Sequence, residues 1–208
     1  MFNESEVKCN QICFANQTWT DPEFPTDQSS LVPASETAGL FAGACWKRIS
    51  DVVPQARLFG AKIDEKNFVQ GEIADGYLLA ALCALAESEV MIKRLFYLDS
   101  LSKAGCLLVY FRFDGAQTPI LVDDQIPCID KELLFAKCTR NIWVCIIEKA
   151  WAKLHGSYAA IARGMPSFVF GQLAGLPTQV IEHKKITNRL EFWSNLIKWK
   201  LHHCPIIA

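Results

Sequence analysis

At 208 residues, 51% of them hydrophobic and 21% charged, the chain is long enough to bury one substantial core. Its formal net charge of -1 supplies no electrostatic basis for binding nucleic acid or an anionic membrane. No apolar run reaches the roughly 18 residues a membrane helix needs, and Met1-Phe2-Asn3-Glu4-Ser5-Glu6 lacks the basic region and apolar stretch of a secretory signal, so an intracellular, cytoplasmic protein is expected.

Residues 1–17 read as a short amphipathic extension, followed by a loop rich in Pro, Ser and Thr that runs to about Ser35. Ala38, Leu40, Phe41, Ala44 and Trp46 then suggest a helix. From Gly76 to Leu85 the chain is apolar almost without interruption and rich in Ala and Leu, which predicts a helix that is hydrophobic all round and therefore buried. The Asp75-Gly76 pair at its start is a hairpin signal in other settings, but no alternating strand pattern follows it. A buried helix N-terminus is chemically useful, because its free N–H groups and dipole stabilise a thiolate or an oxyanion. Cys106 to Phe113 and Pro119 to Val122 flank Asp114-Gly115-Ala116-Gln117 and predict a β-hairpin, with β-branched and aromatic residues on either side of a turn. Asn141 to Leu154 reads as helical. Leu190, Trp193, Leu196, Ile197 and Leu201 recur at three- and four-residue steps and predict an amphipathic helix from Leu190 to His202. There is no internal repeat and no low-complexity linker.

The nine cysteines are odd in number and irregular in spacing, which argues against a disulfide framework and for small buried hydrophobes. Cys9 and Cys13, one helical turn apart, could share a metal ion, as could His202, His203 and Cys204. Neither set has the paired spacing of a zinc site. Cys83 lies two helical turns beyond Gly76 and points into the core, away from any helix start.

The segment Gln70-Gly71-Glu72-Ile73-Ala74-Asp75-Gly76-Tyr77-Leu78-Leu79-Ala80-Ala81 closely resembles the active-site segment of the calpain family, Gln-Gly-x-x-Gly-Asp-Cys-Trp-x-Leu-Ala-Ala. Further blocks are similar in the same order. They are Thr20-Asp21-Pro22-Glu23-Phe24-Pro25, Ser29-Ser30-Leu31, Trp46-Lys47-Arg48, Leu121-Val122-Asp123-Asp124-Gln125-Ile126-Pro127 with Leu133-Leu134-Phe135, and Glu148-Lys149-Ala150-Trp151-Ala152-Lys153-Leu154-His155-Gly156-Ser157-Tyr158. The resemblance runs from about residue 18 to the end.

What it implies is an α+β, papain-like cysteine protease fold. Residues 18–202 would form the first, mainly helical protease subdomain with a small β-hairpin, after an extension over 1–17. Residues 203–208 would begin a second subdomain, with Pro205, Ile206 and Ile207 as its opening strand and as an edge for a partner chain. The family's nucleophilic cysteine falls at Gly76, which has no side chain, and its oxyanion-hole glutamine falls at Gln70. Ala74 and Tyr77 also depart from the family's Gly and Trp, and none of His155, His183, His202 or His203 lies in the family's His motif. The family's calcium ligands fall at Asn67 and Glu148, where the missing carboxylate at 67 implies weak or absent calcium binding; a surface ion pair is the plainer reading of Glu148 and Lys149. The expected function is that of an inactive calpain-like module, structural or scaffolding, with protein partners and a possible cytoskeletal or ciliary setting. The alternatives are a calcium-dependent cysteine endopeptidase fragment and a regulatory decoy that binds peptides.

Overall fold

Two apolar helices set the centre of the molecule. The computed structural model describes residues 3–15, 17–33, 39, 41–63, 68–113, 115–175 and 177–207. In chain order these carry α1 (Glu4–Phe14), α2 (Gln28–Leu31), β1 (Cys45–Arg48), α3 (Ile49–Val52), β2 (Phe68–Val69), α4 (Gly76–Ala86), α5 (Glu89–Lys93), β3 (Cys106–Phe113) and β4 (Ala116–Asp123). There follow β5 (Gln125–Ile129), β6 (Glu132–Leu133), β7 (Lys137–Cys138), α6 (Trp143–His155), α7 (Pro166–Ala174) and α8 (Arg189–Leu201). Helices beside small antiparallel sheets make the fold α+β.

α4 buries seven of its eleven residues, and α6 buries ten of thirteen, so each is enclosed on nearly every side. Gly156 ends α6 in the left-handed region at φ 97°, which a residue without Cβ adopts at no steric cost. α7 packs between α4 and β3. The hairpin β3–β4 pairs Cys106 with Asp123 through to Phe113 with Ala116. Because successive strand residues face opposite ways, Leu107, Val109 and Phe111 enter the main core, while Cys106, Leu108 and Tyr110 form a second small core under α1. The continuous apolar run of β3 thus has a physical reason: the strand is covered on both faces.

Within the expected extension over 1–17, α1 packs onto the hairpin. α1 starts with a capping box between Asn3 and Glu6, buries Cys9 and receives the Tyr110 hydroxyl on Glu6 at 2.5 Å. The helix expected around residues 38–46 is absent: residues 41–43 form a turn and the strand β1 begins only at Cys45, running antiparallel to β5 with Cys45 opposite Cys128 and Arg48 opposite Gln125. Ala38 and Leu40 lie outside the described residues. Pairing with a distant segment overrides the local helical spacing, and Arg48 secures it with a 2.5 Å bond to Asp124. β6 extends this sheet to the order β1-β5-β6, and β2 pairs with β7.

The amphipathic helix near the C-terminus is present as α8, but none of its residues is buried. Leu190, Trp193, Ile197 and Leu201 line an exposed apolar stripe, 47% to 82% accessible. Pro205, Ile206 and Ile207 form no strand, because a strand needs a ladder partner and the described residues offer none; Ile207 packs against the margin of the main core instead.

Candidate functional site

The loop leading into α4 is pinned against the segment after β6. The Glu72 amide donates to the Leu134 carbonyl at 3.0 Å, and a Cβ on Gly71 would stand 2.0 Å from the Phe135 carbonyl oxygen. Only glycine permits that approach. Gln70 then turns its amide inward: Nε2 donates to the Ile73 carbonyl at 2.7 Å, and Oε1 lies 3.0 Å from the place a Cβ on Gly76 would occupy. Gly76 is the first residue of α4, and the Asp75 carbonyl accepts from the amides of Leu78 and Leu79 at 2.8 and 3.2 Å.

At the position the resemblance gives to the nucleophile there is therefore a helix start set in a wall of buried residues, and no side-chain atom. The glutamine that the resemblance sets in an oxyanion hole, Gln70, is near it, but one donor of its amide is spent on Ile73. Tyr77, beside it, ties α4 to α6 by accepting from Trp151 Nε1 at 3.1 Å, and its ring fills the space that a Cβ on Gly164 would need. A groove of about 510 Å³ runs along the same loop, bordered by Phe41, Glu72, Ile73, Ala74, Ala162 and Arg163. Cys83 sits half-buried in the body of α4. His155 is exposed, with Nδ1 2.8 Å from the Trp151 carbonyl and its ring on the indole; His183, His202 and His203 are exposed near α8.

Sequence reasoning missed what lies beneath this site. Asp75 and Glu148 are both almost wholly shielded from solvent, and neither is a surface residue. Both oxygens of Glu148 contact the Ala136 amide at 3.0 Å, and its carboxyl hydrogen-bonds that of Asp75. Burial, reinforced by the neighbouring Asp75 charge, pushes Glu148 well above the usual carboxylate range. Burial also raises Asp75 to about 6, and the hydrogen bond from Glu148 restrains the rise. A calcium ion needs six to eight oxygens around it. Glu148 is closed over by a backbone amide and a second carboxyl, so the described residues do not fit a calcium ion there; Asn67 lies outside the described residues.

Lys149 is likewise buried, and the surface pair expected of Glu148 and Lys149 does not form. Its ammonium donates to Asp123 Oδ1 at 2.5 Å and the Gln125 carbonyl at 2.6 Å, and lies 5.1 Å from the Trp46 ring centroid. Asp123 also accepts from the amides of Asp21 and Gln125, at 2.7 and 2.8 Å. Lys153 continues the network to Asp21 and Glu23 at 2.7 and 2.9 Å. The apolar residues on every side of this stretch, from Ile146 and Ile147 to Ala150 and Trp151, were a signal that it leaves no wet face.

A family model described as calpain family cysteine protease matches residues 19–206. The chain belongs to the calpain family. It is 29% identical over 213 residues to the calpain-type cysteine protease ADL1 of Oryza sativa subsp. japonica, and 29% identical over 213 residues to the calpain-type cysteine protease DEK1 of Zea mays. Each match covers 95% of this chain and 10% of the relative. Calpain-B of Drosophila melanogaster is 30% identical over 158 residues, 73% of this chain and 17% of that protein. The chain thus spans about a tenth of the length of its plant calpain relatives.

Proposed function

We propose that this chain is a calpain-like first protease subdomain, papain-like in fold, that has lost peptidase chemistry and serves as a structural or scaffolding module. The observation that carries the reading is Gly76: the helix start where the resemblance sets a thiolate offers no side chain, and Gln70 abuts the space that one would enter. Removing a nucleophile costs subtilisin-type enzymes about six orders of magnitude in turnover. The purified protein should leave casein intact with calcium present and should take no calpain-directed epoxide. Labelling of one cysteine by that epoxide in a calcium-dependent way would overturn the proposal in favour of an endopeptidase.

The exposed stripe of α8, together with Ile206 of the segment Pro205-Ile206-Ile207, supports a role in assembly, since apolar surface of that kind marks contact sites. The partner is a protein, either a chain supplying the second subdomain or part of a cytoskeletal or ciliary assembly. A photocrosslinker at position 193 should capture a single partner within a large complex from the cell of origin. The groove beside Glu72 and Ala74 favours a second reading, that of a decoy for extended peptides. In that case peptide binding should be measurable by calorimetry and lost on Gln70→Ala.

A further inference from the structure

Three thiols from distant parts of the chain meet under α1. Cys9 and Cys13 lie one turn apart on that helix, and Cys106 opens β3. Their sulfurs all lie within 4.8 Å of one another, and the Cys106 thiol donates to Cys9 Sγ at 3.9 Å. We propose that Cys9, Cys13 and Cys106 bind one thiophilic metal ion, zinc(II) or copper(I), which fastens the N-terminal helix to the hairpin. The site is independent of the groove and of Gly76.

The three sulfurs are close enough together to share one ion. Zinc–thiolate bonds of about 2.3 Å in a tetrahedron set the sulfurs about 3.8 Å apart, close to the observed 3.9 Å between Cys9 and Cys106. Cys9 and Cys106 are fully buried, and Cys13 is half-buried, so the cluster is walled by protein on one side and reached from solvent at the other. Leu108, Ala104 and Leu121 line the buried side, and Trp19 and Leu98 pack against it. That apolar shell favours soft, tightly held ligation over a hydrated ion. Thiolates select zinc and copper(I) over calcium or magnesium. Ser102 borders Cys13, but its hydroxyl already accepts from the Cys106 amide and donates to the Cys106 carbonyl, both at 3.2 Å, so a water molecule from the solvent side would complete the coordination. On binding, each thiol gives up its proton to solvent and its sulfur donates a lone pair to the metal; no oxidant or reductant takes part.

The test uses the whole chain, reduced and stripped with chelator under anaerobic conditions. Titration with cobalt(II), then with zinc(II), and separately with copper(I), should show one equivalent bound, with a sulfur-to-cobalt charge-transfer band that zinc bleaches. Zinc should also raise the thermal midpoint, because an ion bound only by the native state stabilises it. Cys13→Ala sits at the half-buried position, so the variant should keep its circular dichroism and lose affinity at least tenfold. Cys204→Ser, at an exposed position, should bind as the parent does. The proposal fails if none of the ions binds at one equivalent, or if binding persists undiminished in Cys13→Ala and Cys106→Ser. A Cys9–Cys106 disulfide that re-forms under these reducing conditions and blocks binding would overturn it as well.

Discussion

Lys149 is a cation held in a place with no water, and its neighbours decide what that costs. Burial pulls its pKa down while Asp123 pushes it back up, so charge and counter-charge stand or fall together. Lys149→Met should destabilise the protein by about 3–5 kcal/mol in urea unfolding, because Asp123 is left buried with a charge and one donor fewer. A change below 1 kcal/mol would show that Asp123 is served by the two backbone amides alone. The Asp75–Glu148 pair makes a different prediction, about pH. Asp75 titrates at about 6 in the folded chain, against about 3.9 for a carboxyl in an unfolded one. Between those values the native state binds more protons than the unfolded state, so this group's contribution falls as pH rises through 6. Asp75→Asn should match the parent near pH 4 and exceed it by up to about 3 kcal/mol at pH 7.5, from about two units at 1.36 kcal/mol each. A constant offset across that range in thermal melts would rule the pair out as the cause. None of this was legible in the sequence, since a carboxyl reads alike whether its face is wet or dry.

Elements were legible where their own residues determine them. α4, α6 and the β3–β4 hairpin are visible as long apolar or periodic runs, and each appears within a few residues of its expected bounds. β1 was not, because four residues carry little periodicity and what makes them a strand lies in β5, some 80 positions on. The loop before α4 was legible as a motif, but its reason is steric. Gly71 runs against the backbone of Leu134 and Phe135, and backbone atoms cannot rotate aside. Gly71→Ala should therefore cost about 1–3 kcal/mol by overpacking and displace Gln70 from Ile73. The check is the thermal midpoint together with the amide shifts of residues 70–76. The site was legible in outline, as Gly76 at a buried helix start with Gln70 close by. The inward turn of the Gln70 amide depends on the loop's three-dimensional course, and no spacing rule conveys it.

At the scale of the whole molecule, the calpain relationship was readable because several blocks occur in one order, and three of those blocks meet in the buried network of Asp21, Asp123, Lys149 and Lys153. α8 stands outside it. Periodicity foretold an amphipathic helix correctly, yet could not tell whether the apolar face meets this chain or another. Leu190→Glu with Trp193→Glu should leave urea stability within about 0.5 kcal/mol, as surface changes do, while abolishing capture of a partner by the α8 stripe. A large loss of stability would mean that the stripe already packs at home. Among the described residues, little beyond the Lys200–Glu87 ion pair and the seating of Ile207 ties α8 to the body. The stretch before it presents Lys184 and Lys185, and Arg189 opens the helix, all three exposed. Brief digestion with trypsin should consequently clip there first and shed the last twenty or so residues as a single peptide, leaving a resistant remainder in which the amide protons of α6 exchange as slowly as in the intact protein.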